Sequence, residues 1–104
     1  MTLRIVRVGT WLYGGSVDTP VDIVGLDYDY WYVLGKADGA LEPGEVPRPL
    51  GKDGFLYYVR FREALDTSEP TSPDSSGYTS VAEAMRHAES KVVGGVRWHD
   101  PVAA

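Results

Sequence analysis

Two carboxylates spaced two residues apart, Asp27 and Asp29, are the side chains best placed for chemistry in this chain. On a strand they would share one face roughly 7 Å apart, a spacing that suits paired acid–base work or a hard cation. A cation site needs further oxygen ligands, and the sequence places none. Arg60 and Arg62 repeat the same spacing. Set on a neighbouring antiparallel strand, they would face the aspartates and account for all four charges as cross-strand pairs. Asp27 and Asp29 therefore read as structural partners of Arg60 and Arg62, not as catalytic acids.

The remaining candidates do not assemble into a site. His87 falls on the polar edge of a predicted helix and His99 stands beside Asp100, with no third ligand at metal-binding spacing. There is no cysteine, which removes disulfides, thiolate nucleophiles and cysteine-based zinc sites and fits a reducing compartment. No serine or threonine sits in a strand-turn-helix elbow. Gly14-Gly15-Ser16 is followed by neither a phosphate-binding lysine nor a helix start, so it reads as a turn. No catalytic residue, metal or cofactor is expected, and the chain is not expected to be an enzyme.

The elements that must carry these residues follow from pattern. Leu3 to Val8 is rich in apolar and β-branched residues, but Arg4 and Arg7 fall on opposite parities, which calls for a bulge or burial on both sides. Trp11 to Tyr13 extends this strand to the glycine turn. Val21 to Leu34, dense in valine, tyrosine and tryptophan, is expected as one long strand bent at Gly25. Its even positions Val24, Leu26, Tyr28, Tyr30, Tyr32 and Leu34 form the core face, and Asp27, Asp29, Trp31 and Val33 the other. Gly35 to Gly54, with three prolines, is expected as a long loop.

Phe55 to Arg62 is the next strand. Antiparallel pairing sets Asp27 opposite Arg62, Asp29 opposite Arg60, Trp31 opposite Tyr58 and Val33 opposite Leu56, a register in which charge and apolarity both match. Asp66 to Gly77, with its serines and prolines, reads as a mobile connection. Ser80-Val81-Ala82-Glu83 is a capping box. The stripe Val81, Ala84, Met85, Ala88 and Val92 then predicts an amphipathic helix that Gly94-Gly95 stops, ending near Gly94. Val96-Arg97-Trp98 closes the chain as a short strand. The expected fold is α+β: an antiparallel sheet of three to four strands in β-β-β-α-β order, with one C-terminal amphipathic helix on one face and residues 1–104 forming a single domain.

At 43% hydrophobic and 24% charged the composition is that of a globular domain. The net charge of -5 repels phosphate backbones and anionic lipid, so neither nucleic acid nor a membrane is an expected partner. Arg4 interrupts the N-terminal apolar run too soon for a secretory signal, and a cytoplasmic location is expected.

The stretch from Asp53-Gly54-Phe55-Leu56-Tyr57-Tyr58-Val59 to Gly77-Tyr78-Thr79-Ser80-Val81-Ala82-Glu83-Ala84 is similar to the strand-then-helix segment of HicB-type antitoxins, in which an aromatic strand precedes a capped helix rich in glutamate and alanine. The similarity covers under half of the chain, and the segment between the two elements is long and differs.

The function expected from these residues is that of a non-catalytic interaction protein, of the inhibitor, immunity or accessory kind, engaging another protein or a second copy of itself. With one helix to cover the sheet, the cluster Trp31, Val33, Leu56 and Tyr58 is expected on an uncovered face and is the candidate association surface. Two alternatives stand beside it: a small-ligand-binding domain or enzyme using the strand carboxylates, and a phage or assembly subunit.

Overall fold

The computed structural model describes residues 3–62 and 73–99. A four-stranded antiparallel sheet carries strands β1 (Leu3–Tyr13), β2 (Val17–Leu26), β3 (Leu56–Phe61) and β4 (Arg97–His99) in the order β3-β2-β1-β4. Two helices complete the α+β architecture, α1 (Tyr30–Ala37) between β2 and β3, and α2 (Val81–Ser90) between β3 and β4. No described helix is long and apolar enough to cross a membrane.

β1 and β2 form a hairpin closed at Gly14 and Gly15, whose φ values of 61° and 76° are the left-handed conformations such a turn requires. The register slips between Ile5 and Arg7, leaving Val6 as a bulge. Arg4 consequently faces Gly25 and Arg7 faces Ile23, so the bulge brings both arginines to one side despite their opposite parities. Arg4 then lies 5.2 Å over the Phe55 ring.

β2 is the central strand, and every residue from Val21 to Leu26 is buried. Toward α2 point Val21 and Ile23, packed with Val59, Ala84 and Ala88; on the reverse face Val24 and Leu26 pack with Leu56 and Tyr58. Gly25 is not a bend: a Cβ there would stand 3.2 Å from the Tyr57 ring, so the glycine makes room for that side chain within a continuous strand.

The long strand expected over Val21 to Leu34 stops at Leu26, and α1 takes residues that the aromatic and β-branched composition assigns to a strand. Asp29 is the reason. Its carboxylate accepts from the Tyr32 amide at 3.2 Å as an N-cap and from the Arg48 amide at 2.7 Å. The Tyr30 amide donates to the Tyr58 hydroxyl at 2.9 Å, so a side chain from the sheet satisfies another orphan amide of the helix.

The β2–β3 register also differs from expectation. Arg60 faces Asp22 instead of Asp29, a displacement of seven residues; because seven is odd, every side chain of β3 changes face. The outer edge of β3 is sealed by residues 74–78. Tyr57 and Tyr78 exchange backbone bonds of 2.7 and 2.8 Å, the Val59 amide donates to Ser75 Oγ at 2.9 Å, and the Phe61 amide donates to Asp74 Oδ2 at 2.7 Å. The connection expected over Asp66 to Gly77 lies partly outside the described residues; Pro73, Ser75 and Gly77 within it are buried, against the expectation of a segment unable to bury itself.

α2 starts where the Ser80 cap sets it. Ser80 Oγ accepts from the Glu83 amide at 3.2 Å and Ala84 and Ala88 are fully buried, but the helix ends at Ser90 with Lys91 as its C-cap, short of the expected stop at Gly94, so Val92 lies beyond it. Trp98 on β4 donates through Nε1 to Glu89 Oε2 at 3.2 Å, tying the last strand to the helix.

Candidate interaction surface

The four residues expected to share a sheet face divide into two pairs. Leu56 and Tyr58 have no exposed surface and belong to the core. This corrects the expectation for both, and its cause is that β3 is covered on each face, by α2 over Tyr57 and Val59 and by Tyr28 and Tyr30 over Leu56 and Tyr58. Trp31 and Val33 stand on α1, 43% and 42% exposed, followed by Leu34 at 39%. α1 has no buried residue at all, although five of its eight residues are large and apolar or aromatic.

The buried pair supports the exposed one. Tyr58 accepts from the Tyr30 amide and its ring meets Tyr30 edge-on, with centroids 6.4 Å apart. Burial raises the Tyr58 hydroxyl above its ordinary pKa, so it stays protonated and donates to the Tyr28 carbonyl at 3.4 Å while accepting from the Tyr30 amide. Trp31 packs edge-on against Tyr30 at 5.0 Å and donates through Nε1 to the Ser75 carbonyl at 2.8 Å. The indole is thus fixed at one edge while much of its ring remains open. Beside it Val46, Pro47, Arg48 and Pro49 form the far wall of a shallow groove that Asp29, Tyr32 and Glu45 also line.

The surroundings are acidic. From Asp27 to Glu45 the chain carries the carboxylates Asp27, Asp29, Asp38, Glu42 and Glu45 against the single cation Lys36, which places most of the net charge of -5 in this segment. Within the groove itself the carboxylates Asp29 and Glu45 stand with the single cation Arg48.

The expected pairing of Asp27 and Asp29 with the arginines is not formed. Asp27 is exposed in the turn before α1, and Asp29 caps that helix. Arg62 instead meets Asp22, with Nε 2.8 Å from Oδ2 and Nη2 3.0 Å from Oδ1, and Arg60 meets Asp74 at 3.3 Å. Asp22 is fully buried. The sequence held a sign of this pair, because Asp22 shares the parity of Val24 and Leu26, but its charge masked it as a core position.

The histidines remain apart. His87 is half-buried, not a surface residue, and its Nδ1 lies 2.6 Å from the Tyr78 hydroxyl; burial, and then Lys91, hold its pKa below the ordinary value. His99 Nε2 lies 3.1 Å from Thr10 Oγ1. Among the described residues no group of three or more histidine, aspartate and glutamate side chains is arranged to hold a metal ion. Tyr57 donates a short hydrogen bond to Asp53, and burial together with that bond pushes its hydroxyl up to about 12.

Comparison of the chain with protein-family models, with curated proteins and with solved structures returns no match.

Proposed function

We propose that this chain is a non-catalytic protein-interaction domain, of the inhibitor, immunity or accessory kind, whose association surface is the exposed part of α1 around Trp31 and Val33. The observation that carries the reading is that α1, an apolar and aromatic helix, fully buries none of its residues and leaves Trp31, Val33 and Leu34 exposed. Its exposed apolar side chains gain little from the fold of this chain alone, whereas a partner covering them removes apolar area from water at about 25 cal/mol per Å². Tryptophan held at one edge and open on its face is the residue type that anchors interfaces.

The partner is a protein with an apolar surface flanked by basic residues. Two copies of this chain meeting through α1 would bring the carboxylates Asp38, Glu42 and Glu45 of each into one interface, whereas a basic partner pairs with them and is steered toward them. The reading as an enzyme built on strand carboxylates has lost its constellation, because Asp27 and Asp29 do not share a strand face.

A photo-crosslinking residue placed at Val33, with the same residue at exposed Glu83 on α2 as control, tests this proposal in cells that express the protein. The expected result is one adduct at Val33, absent at Glu83, to a protein of basic isoelectric point. Identical adducts at both positions would refute the surface, and an adduct to a second copy would refute the partner's chemistry.

A further inference from the structure

The outer edges of the sheet are treated differently. At β3 the edge is closed by residues 74–78, through the Tyr57–Tyr78 bridge and the bonds of the Val59 and Phe61 amides to Ser75 and Asp74. At the other end of the order β3-β2-β1-β4 stands β4. Arg97, Trp98 and His99 form no backbone hydrogen bond outside their pairing with β1 among the described residues. In an antiparallel pair alternate residues turn their N–H and C=O groups away from the neighbouring strand, so β4 presents donors and acceptors outward.

The side chains along this edge alternate. Arg97 and His99 stand opposite Thr10 and Val8 on one face, and both are exposed. His99 Nε2 lies 3.1 Å from Thr10 Oγ1, while Arg97 forms no ion pair among the described residues. Trp98, opposite Gly9 on the other face, is half-buried and donates to Glu89. A Cβ at Gly9 would stand 2.8 Å from the Trp98 ring, so the glycine makes room for the side chain that ties β4 to the domain.

Shortness and charge ordinarily protect an edge strand from pairing, and β4 has both. The charge, however, has one sign. Two copies meeting edge to edge would set Arg97 and His99 of one against those of the other, whereas a strand with carboxylates at alternate positions complements them. Between those positions, Glu89 beside Trp98 disfavours a further carboxylate.

We propose that the outer edge of β4 takes an extended acidic segment of a partner protein as an added strand, with alternate carboxylates facing Arg97 and His99 and a neutral side chain beside Trp98. The assignment shares no residue with the α1 surface and does not rest on it.

The test is fluorescence anisotropy of the full chain with a short labelled peptide in which glutamate and valine alternate. Beside it are measured the same residues reordered so that the glutamates are adjacent, the alternating peptide N-methylated at its central amides, and an alternating lysine–valine peptide. The alternating glutamate peptide is expected to bind, and the reordered and methylated peptides, which keep its charge, are expected not to. Arg97→Glu changes an exposed side chain, and its fold is verified by circular dichroism. It is expected to weaken the glutamate peptide roughly five-fold or more and to bind the lysine peptide in its place. Arg86→Glu, the same change of charge at an exposed position of α2, is expected to leave the affinity unaltered. Equal binding of the methylated peptide would mean attraction of charge without a strand, and equal binding by Arg97→Glu would place the peptide elsewhere. Either result overturns the proposal, as does a wild-type chain that binds no peptide or that pairs through β4 with a second copy instead.

Discussion

The two helices of this domain reverse the usual relation between apolar composition and burial. α2 (VAEAMRHAES) is largely polar, yet it inserts Ala84 and Ala88 fully into the core against Val21, Ile23 and Val59. α1 (YWYVLGKA) is the more apolar of the two, yet it packs only in part, through Tyr30 against the cluster of Val24, Leu26, Leu56 and Tyr58, and leaves Trp31, Val33 and Leu34 exposed. The difference lies in docking. α2 lies across the sheet, and its small alanines let the helix approach closely. α1 hangs on the end of β2, held by the Asp29 cap, the Tyr58 hydroxyl and the bond from Trp31 to Ser75. Apolar composition indicates what a segment gains by being covered; topology decides whether its own chain does the covering.

A carboxylate placed on each helix is the hardest test of that contrast. Ala88→Asp puts an unpaired charge at a fully buried position and is expected to cost more than about 4 kcal/mol, enough to unfold a marginal domain. Val33→Asp is expected to change stability by no more than about 0.5 kcal/mol. Urea denaturation followed by circular dichroism checks both, and comparable losses would mean that α1 is packed after all.

Next in size is the buried ion pair between β2 and the end of β3. Asp22→Ala strands Arg62 and is expected to cost roughly 3–5 kcal/mol, far above the value of an exposed pair. A loss under about 1 kcal/mol, which is the range for surface pairs, would place Asp22 in solvent.

The caps sharpen the comparison further. Ser80→Ala is expected to lower global stability by about 1 kcal/mol, because α2 is part of the cooperative core. Asp29→Ala is expected to release amide protection in α1 during hydrogen exchange while the urea midpoint moves less than for Ser80→Ala. Equal shifts of the midpoint would make α1 as integral as α2.

The smallest effect is a pH dependence confined to the α2 side. His87 has a lowered pKa in the folded chain, so the unfolded chain takes up its proton first as pH falls. Its contribution to stability is present above the unfolded value of about 6.5 and is lost as pH falls from there through the depressed folded value. His87→Gln is expected to flatten that part of the stability profile, and an unchanged profile between the two proteins would exclude His87 as its source.

Much of this architecture could be read from the residues. The turn at Gly14-Gly15, the strand from Leu56, the capped helix from Val81 and the closing strand at Arg97 follow from turn chemistry, alternation, the Ser80 box and helical spacing. α1 was hidden because Tyr30, Trp31, Tyr32 and Val33 are strand formers, and the cap at Asp29 was outweighed by them. The register was hidden by a coincidence: Asp27 and Asp29 match the arginines as well as Asp22 does, and only the end of β2 at Leu26 decides between them. The candidate surface was legible in part. Trp31 and Val33 remain exposed although the strand proposed to carry them is a helix, while Leu56 and Tyr58 are buried because β3 is covered on both faces.

The most direct test of the interaction reading is quantitative capture from the native host on immobilised wild-type protein, Trp31→Ala and an Ala82→Ser control on the solvent side of α2. The reading predicts one basic partner in equimolar ratio, retained by wild type and the control, lost with Trp31→Ala, and released as salt screens the carboxylates around α1. Retention of the same partner by Trp31→Ala, or binding through α1 of a second copy in place of a basic protein, would contradict it.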